Sequence, residues 1–219
     1  MPSLNPSVLE RFARSPLPVF VLVAIAGHMD ALAMLHSKEW LAVYMTGNST
    51  KLSQSLLHGA LSKALPLLAV IASFLASTTF AAWLGSRFPR WRASLCMVLT
   101  AAFLAAVVPN ASEHYTPFST SLIAASMGAM NQALADQPGV TFITGTVVGI
   151  GRQLAACKFN AAALGMLRWF AWIAGAAVGT SLDFLYGPEA LAFVALAALV
   201  CALAAVLHGT AVHPRQRVH

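Results

Sequence analysis

Long apolar runs alternate along the chain with short polar stretches, and the runs exceed what the helices or strands of an ordinary core require. A helix spans the hydrocarbon core of a bilayer, about 30 Å thick, with about 20 apolar residues. Six segments approach that length: 17–36, 64–84, 93–109, 118–135, 168–186 and 189–208. They predict an all-α polytopic membrane protein with about six transmembrane helices. The first segment follows Arg11 and Arg14, as a secretory signal would. Its apolar run is longer than a typical signal core, carries Asp30 and lacks a clear small-residue cleavage site, so it is read as a helix of the mature protein.

Two connecting stretches do not have the composition of loops. Residues 40–57 (WLAVYMTGNSTKLSQSLL) and 139–156 (GVTFITGTVVGIGRQLAA) are each half apolar and interrupted by a Thr-Gly pair. Both are too short or too polar to cross a bilayer. Backbone opened at a glycine inside a membrane has to be buried in protein or line a wet cavity, because lipid offers no hydrogen bonds. The pattern therefore predicts broken or re-entrant segments. The alternative for the first stretch is an amphipathic helix lying at the interface, with Trp40 and Tyr44 as headgroup anchors.

The two halves echo each other. Gly27-His28-Met29-Asp30 recurs as Gly128-Ala129-Met130-Asn131, and Met45-Thr46-Gly47-Asn48 as Ile143-Thr144-Gly145-Thr146. Further on, Ile71-Ala72-Ser73 with Ser77-Thr78-Thr79 parallels Ile173-Ala174-Gly175 with Gly179-Thr180-Ser181. Three ordered matches involving Gly, Thr, Asp and Asn point to duplication. The predicted plan is a tail over 1–16, a first three-helix repeat over 17–109, a second over 118–208, and a tail over 209–219. An odd number of spans per half makes the repeats inverted, an architecture that places its binding site near the midplane between the halves.

Composition supports the membrane reading. Hydrophobic residues form 58% of the 219 positions and charged residues only 9%, against about 25% charged in soluble domains; the mean hydropathy is +0.73. So few charges cannot cover a water-soluble surface, which excludes a soluble enzyme, a disordered chain and a nucleic-acid module. The net charge of +6 is spread between the apolar runs. With the N-terminus inside, Arg11, Arg14, Arg87, Arg90, Arg92, Arg152, Lys158, Arg168, Arg215 and Arg217 fall on the inner side, and Lys38, Lys51 and Lys63 on the outer. That asymmetry predicts an inner-membrane protein with both termini in the cytoplasm. Cys96, Cys157 and Cys201 have neither disulfide nor zinc spacing.

Asp30 sits in the middle of the first span, where a carboxylate is penalised by about 2.5–3.5 kcal/mol. A proton, a cation or several donors must offset its charge, which suits a coupling site. Gly27, one turn earlier on the same face, would let a partner backbone approach. Asn131 with Gly128 is the uncharged counterpart. Thr46, Gly47 and Asn48, and Thr144, Gly145 and Thr146, would offer hydroxyls, an amide and unwound backbone to an ion or small polar solute. They would equally cap helices over 49–57 and 147–156. Asp183 forms a ladder with Gly175 and Gly179 at four-residue spacing, near the outer end of its span. His28 points away from Asp30 and is expected to be a hydrogen-bonded interior histidine; the other histidines, His36 among them, lie at span ends or in tails. No catalytic constellation, cofactor motif or metal-ligand spacing appears, so no enzyme activity, cofactor or metal is expected.

The run AGHMDALAML followed by YMTGNSTKLSQSL, with SMGAMNQAL followed by TFITGTVVGIGRQL, resembles the YoaK-like family of bacterial membrane proteins of unknown function over essentially the whole chain. The resemblance implies a six-span inner-membrane protein and brings no activity with it. Met130 stands where it leads one to expect Gln, and Tyr44 where it leads one to expect Asn. The residues themselves point to a small-solute or ion permease working by alternating access, with proton coupling through Asp30. A channel, or a non-transporting membrane scaffold that binds lipid or a partner, is the alternative. The expected partners are the lipid bilayer and an unknown small polar solute or ion, and no nucleic acid. Six spans of this length enclose little volume, which leaves room for a homo-oligomer.

Overall fold

The computed structural model describes residues 17–37, 39–134 and 139–211. Both predicted tails therefore lie wholly or largely outside the described residues, as do Lys38 and the basic residues Arg11, Arg14, Arg215 and Arg217. Among the described residues the fold is all-helical. Its helices are α1 (Leu17–His36), α2 (Met45–Leu57), α3 (Leu61–Arg87), α4 (Arg92–Val107), α5 (Pro117–Met130), α6 (Ile143–Ala155), α7 (Phe159–Tyr186) and α8 (Leu191–Ala211). Short 3₁₀ turns, Pro89–Trp91 and Gly187–Ala190, join α3 to α4 and α7 to α8.

Among the described residues four stretches are long and apolar enough to cross a membrane: Leu17–His36, Leu61–Arg87, Pro89–Asn110 and Phe159–Leu207. The last runs through the turn between α7 and α8. The segment expected at 118–135 forms α5, only 14 residues long, and this helix is below spanning length. The segment expected at 168–186 begins nine residues earlier, at Phe159. Arg168 closed the apolar count there, but its guanidinium donates to the Gly139 carbonyl at 3.0 Å, so the helix continues through it.

Each helix end has a local cause. Phe88-Pro89 stops α3, since the residue before proline is pushed out of the helical region. Pro117 opens α5 at a position whose N–H needs no partner, and Thr116 caps it by accepting from the Ser119 N–H at 3.1 Å. Helices α2 and α6 both end on a residue in the left-handed region, Gly59 (φ 67°) and Cys157 (φ 55°). Backbone bonds from Ala60 to Ser55 and from Lys158 to Gln153 then satisfy the last carbonyls.

Packing follows small residues. Gly27 on α1 lies against the Trp172 carbonyl of α7, and Gly175 on α7 against the Ala24 carbonyl of α1; neither leaves room for a Cβ. With Gly179 pressed on His28 and Asp183 on His36, α1 and α7 run parallel. Helices α3 and α5 make the matching pair. There Gly128 meets the Phe74 carbonyl, and the Ser77 hydroxyl donates to the Ala125 carbonyl at 2.6 Å. The start of α5 adjoins the end of α1, where the Tyr115 N–H donates to the His36 carbonyl at 2.8 Å and the Thr120 hydroxyl to Ser37 Oγ at 3.2 Å. Helix α4 packs on α5 and α8. Residues Ile123 to Met130 of α5, and Asn131 after them, are buried without interruption, whereas α3 and α7 expose Leu65, Leu75, Phe80, Trp83, Phe170, Val178 and Phe184. Such an outer surface is the inverse of a soluble protein's and suits contact with lipid.

Candidate functional site

The two Thr-Gly segments form the first turns of α2 and α6, and their backbones match bond for bond. Met45 N–H to the Val43 carbonyl, Asn48 N–H to the Tyr44 carbonyl and Ala60 N–H to the Ser55 carbonyl recur 98 residues later, as Ile143 to Thr141, Thr146 to Phe142 and Lys158 to Gln153. The helices begin at Met45 and Ile143, four residues before the expected starts at 49 and 147. The expected side-chain caps are thereby overturned, because both ends lack a side-chain cap bond. Thr146 instead donates to the Phe142 carbonyl at 3.1 Å.

Both helix starts line one cavity of about 2080 Å³. Thr46 contributes from α2; Thr144, Gly145 and Thr146 contribute from α6. The remaining wall comes from the beginnings of α1 and α7 and the last turns of α8, and Arg90 and Arg92 stand where α3 turns into α4. The mouth therefore lies at the end of the bundle where α1 starts. Polar groups are few against a mainly apolar wall: Tyr44, Thr46, Thr141, the two α6 threonines, Gln153 and the arginines Arg90, Arg92 and Arg168. Gly145 and Gly149 have nothing within 4 Å of where a Cβ would stand, so they widen the wall rather than serve close packing.

Asp30 does not line the cavity. It is buried at 5% exposure and accepts from the Tyr44 hydroxyl at 3.2 Å. Tyr44 is 44% exposed and lines the cavity, so it is the link between the carboxyl and the open space. The departure from the resembled family pattern thus falls on the residue that reaches Asp30.

The other expected site residues have structural partners. Asn48 is fully buried and grips Leu41, accepting from its N–H at 3.0 Å and donating to its carbonyl. Asn131 grips Thr141 in the same manner, accepting from its N–H at 3.1 Å and donating to its hydroxyl at 2.9 Å. Each asparagine thereby fixes the chain entering a short helix. Gly47 packs on Leu41, and Gly27 and Gly128 are helix contacts. His28 is buried, but its Nε2 has no hydrogen-bond partner among the described residues, contrary to the expected bonded histidine.

Asp183 is half-buried and lies outside the cavity. Its carboxylate lies 2.6 Å from His36 Nε2, while His36 Nδ1 lies 3.0 Å from the Glu113 carbonyl. The Tyr115 ring packs on His36 at 5.0 Å. Burial and the nearby Asp183 charge push the Tyr115 phenol well above its ordinary pKa, so it stays a neutral hydroxyl. This cluster was not legible beforehand, because 147 residues separate His36 from Asp183. The alignment of Asp183 with Gly175 and Gly179 pointed to one helix face but not to its partner. Among the described residues no three His, Cys, Asp or Glu side chains converge as a metal site would require.

Taken together, these features define a helical, membrane-type protein with a cavity built by two short helices of matching backbone. The chain belongs to the family described as protein of unknown function (DUF1275), whose model matches residues 19–206. The match runs from α1 into α8 and takes in both Thr-Gly segments. No curated protein and no solved structure matches the chain.

Proposed function

We propose that the protein is a small permease with two inverted halves that moves a small polar or ionic solute by alternating access, coupled to protons through Asp30. The observation that carries this reading is the meeting of Thr46 with Thr144, Gly145 and Thr146 in one cavity, which Tyr44 connects to the buried Asp30. Duplicated backbone at α2 and α6, and the paired contacts of α1 with α7 and α3 with α5, support the inverted plan. Interrupted segments meeting between such halves supply helix ends and free backbone to a solute. In this reading six segments belong to the membrane: α5 enters it without crossing as a regular helix, and α2 and α6 rise from the midplane towards opposite faces. Arg90 and Arg92 line the cavity and Arg87 lies in the last turn of α3; in this reading the positive-inside rule puts that end in the cytoplasm.

Tyr44 links the buried Asp30 carboxyl to the cavity, and in this reading a proton or cation reaches Asp30 along that link as the solute binds. The test is a reconstituted flux assay with a pH-sensitive dye inside the vesicles and small carboxylates, amines and inorganic anions added one at a time. At least one is expected to give a saturable dye response, and Asp30→Asn to abolish it. A panel without response, or a response unchanged in Asp30→Asn, contradicts the reading. A response linear in concentration favours a channel.

A further inference from the structure

The end of the bundle opposite the cavity mouth is held by a different kind of contact. His36 ends α1, Asp183 lies in the last turn of α7, and Glu113 belongs to the segment leading into α5. One imidazole bridges all three, with an acceptor on each side: the Asp183 carboxylate at 2.6 Å and the Glu113 carbonyl at 3.0 Å. A neutral imidazole carries one N–H and can satisfy only one of two acceptors. The second contact requires one more proton, either on the ring or shared with the carboxylate. The closed cluster is thus a proton-binding site.

Other groups around it do not replace that proton. Tyr115 covers the ring from the connecting segment, its hydroxyl buried without a hydrogen-bond partner among the described residues. The Glu113, His114 and Glu189 side chains are exposed. Lys38 lies outside the described residues.

We propose that His36, Asp183 and the Glu113 carbonyl form a proton-loaded latch that closes the outer end while the cavity opens at the other. The inference rests on the alternating-access reading. Loss of the proton leaves one ring nitrogen facing an oxygen lone pair, so the ends of α1, α7 and the start of α5 separate more easily. Exposing the cavity to the outside then requires breaking this cluster, which ties proton release on that side to the change of access.

The test uses the full chain with Cys96, Cys157 and Cys201 replaced by Ser. One cysteine is placed in the cavity as Met45→Cys, and an exposed control is made separately as Ser112→Cys. A membrane-impermeant maleimide is applied from either side of the membrane, in right-side-out and inverted vesicles, and the rate at position 45 is divided by the control rate to remove the pH dependence of thiol reactivity. In the parent at pH 5.5, outer labelling at 45 is expected to be slow. It is expected to rise at least about tenfold towards pH 8.5, the scale set by one charge-assisted hydrogen bond. Asp183→Asn and His36→Ala are each expected to show fast outer labelling at all pH values while eluting as monodisperse protein. Outer labelling that stays within about twofold across both variants and the pH range overturns the latch, as does fast outer labelling of the parent at pH 5.5. Labelling from the mouth side tests the cavity separately. If it is absent, the permease reading falls and takes the latch with it; if it is present without any outer effect, the latch alone falls.

Discussion

At the scale of single residues, the site depends on which polar groups are spent on holding the chain. Asn48 and Asn131 look from the sequence like solute ligands. Instead they clamp Leu41 and Thr141, because the chain entering each short helix needs its backbone groups satisfied away from water. Asp30 was legible as a buried carboxyl, since no other acid lies inside that apolar run. Its partner was not, because 14 residues separate Tyr44 from it and a tyrosine near an interface ordinarily reads as an anchor. The glycines divide into two classes that sequence alone cannot separate. Gly27 and Gly175 meet partner carbonyls, whereas Gly145 faces open space. Gly175→Ala is expected to lower stability in detergent by about 1–3 kcal/mol through overpacking. Gly145→Ala, in an exposed helical turn, is expected to be neutral or to stabilise by about 0.4–1 kcal/mol. Thermal unfolding followed by circular dichroism distinguishes the two, and equal losses would contradict the assigned contacts.

At the scale of elements, the helix boundaries test how well hydropathy stands in for structure. The first expected span ends at the same residue as α1, His36. Helices α3 and α7 extend beyond their apolar runs because Lys63 and Arg168 sit near helix ends or find backbone partners and do not stop the helix. Helix α5 is shorter than its run: Asn131 turns back to bind Thr141 at a point where composition alone would continue. The backbone likeness of α2 and α6 was legible as two Thr-Gly pairs. Its depth was not, because, although the acceptors Leu56 and Leu154 agree, most positions matched at the C-termini differ, Gly59 and Cys157 among them. That pair yields a prediction. Cys157 holds a left-handed conformation that costs a non-glycine residue about 1–2 kcal/mol. Cys157→Gly is therefore expected to raise the unfolding midpoint and Gly59→Ala to lower it. The opposite order in a thermal melt would show that the two helix ends are not equivalent.

At the scale of the whole molecule, four segments meet the length and hydropathy of a membrane span, while α5 dips among its neighbours as the most enclosed helix. Helix α1 packs mainly on α7, and α3 on α5. Gly27 and Gly128 make those crossings close. This arrangement leaves the starts of α2 and α6 lining one open volume and the His36–Asp183 cluster at the far end. Neither feature follows from local sequence, because each depends on how helices distant in the chain dock.

The most direct measurement of the central claim is cysteine accessibility at the two helix starts, with Thr46→Cys and Thr144→Cys made separately and together in a chain freed of its native cysteines. If both line one cavity, an impermeant maleimide reaches both from the end that carries Arg90 and Arg92, and a bulky label at one position slows labelling of the other. Labelling of the two positions from opposite faces of the membrane, each unaffected by the other, would contradict the shared cavity.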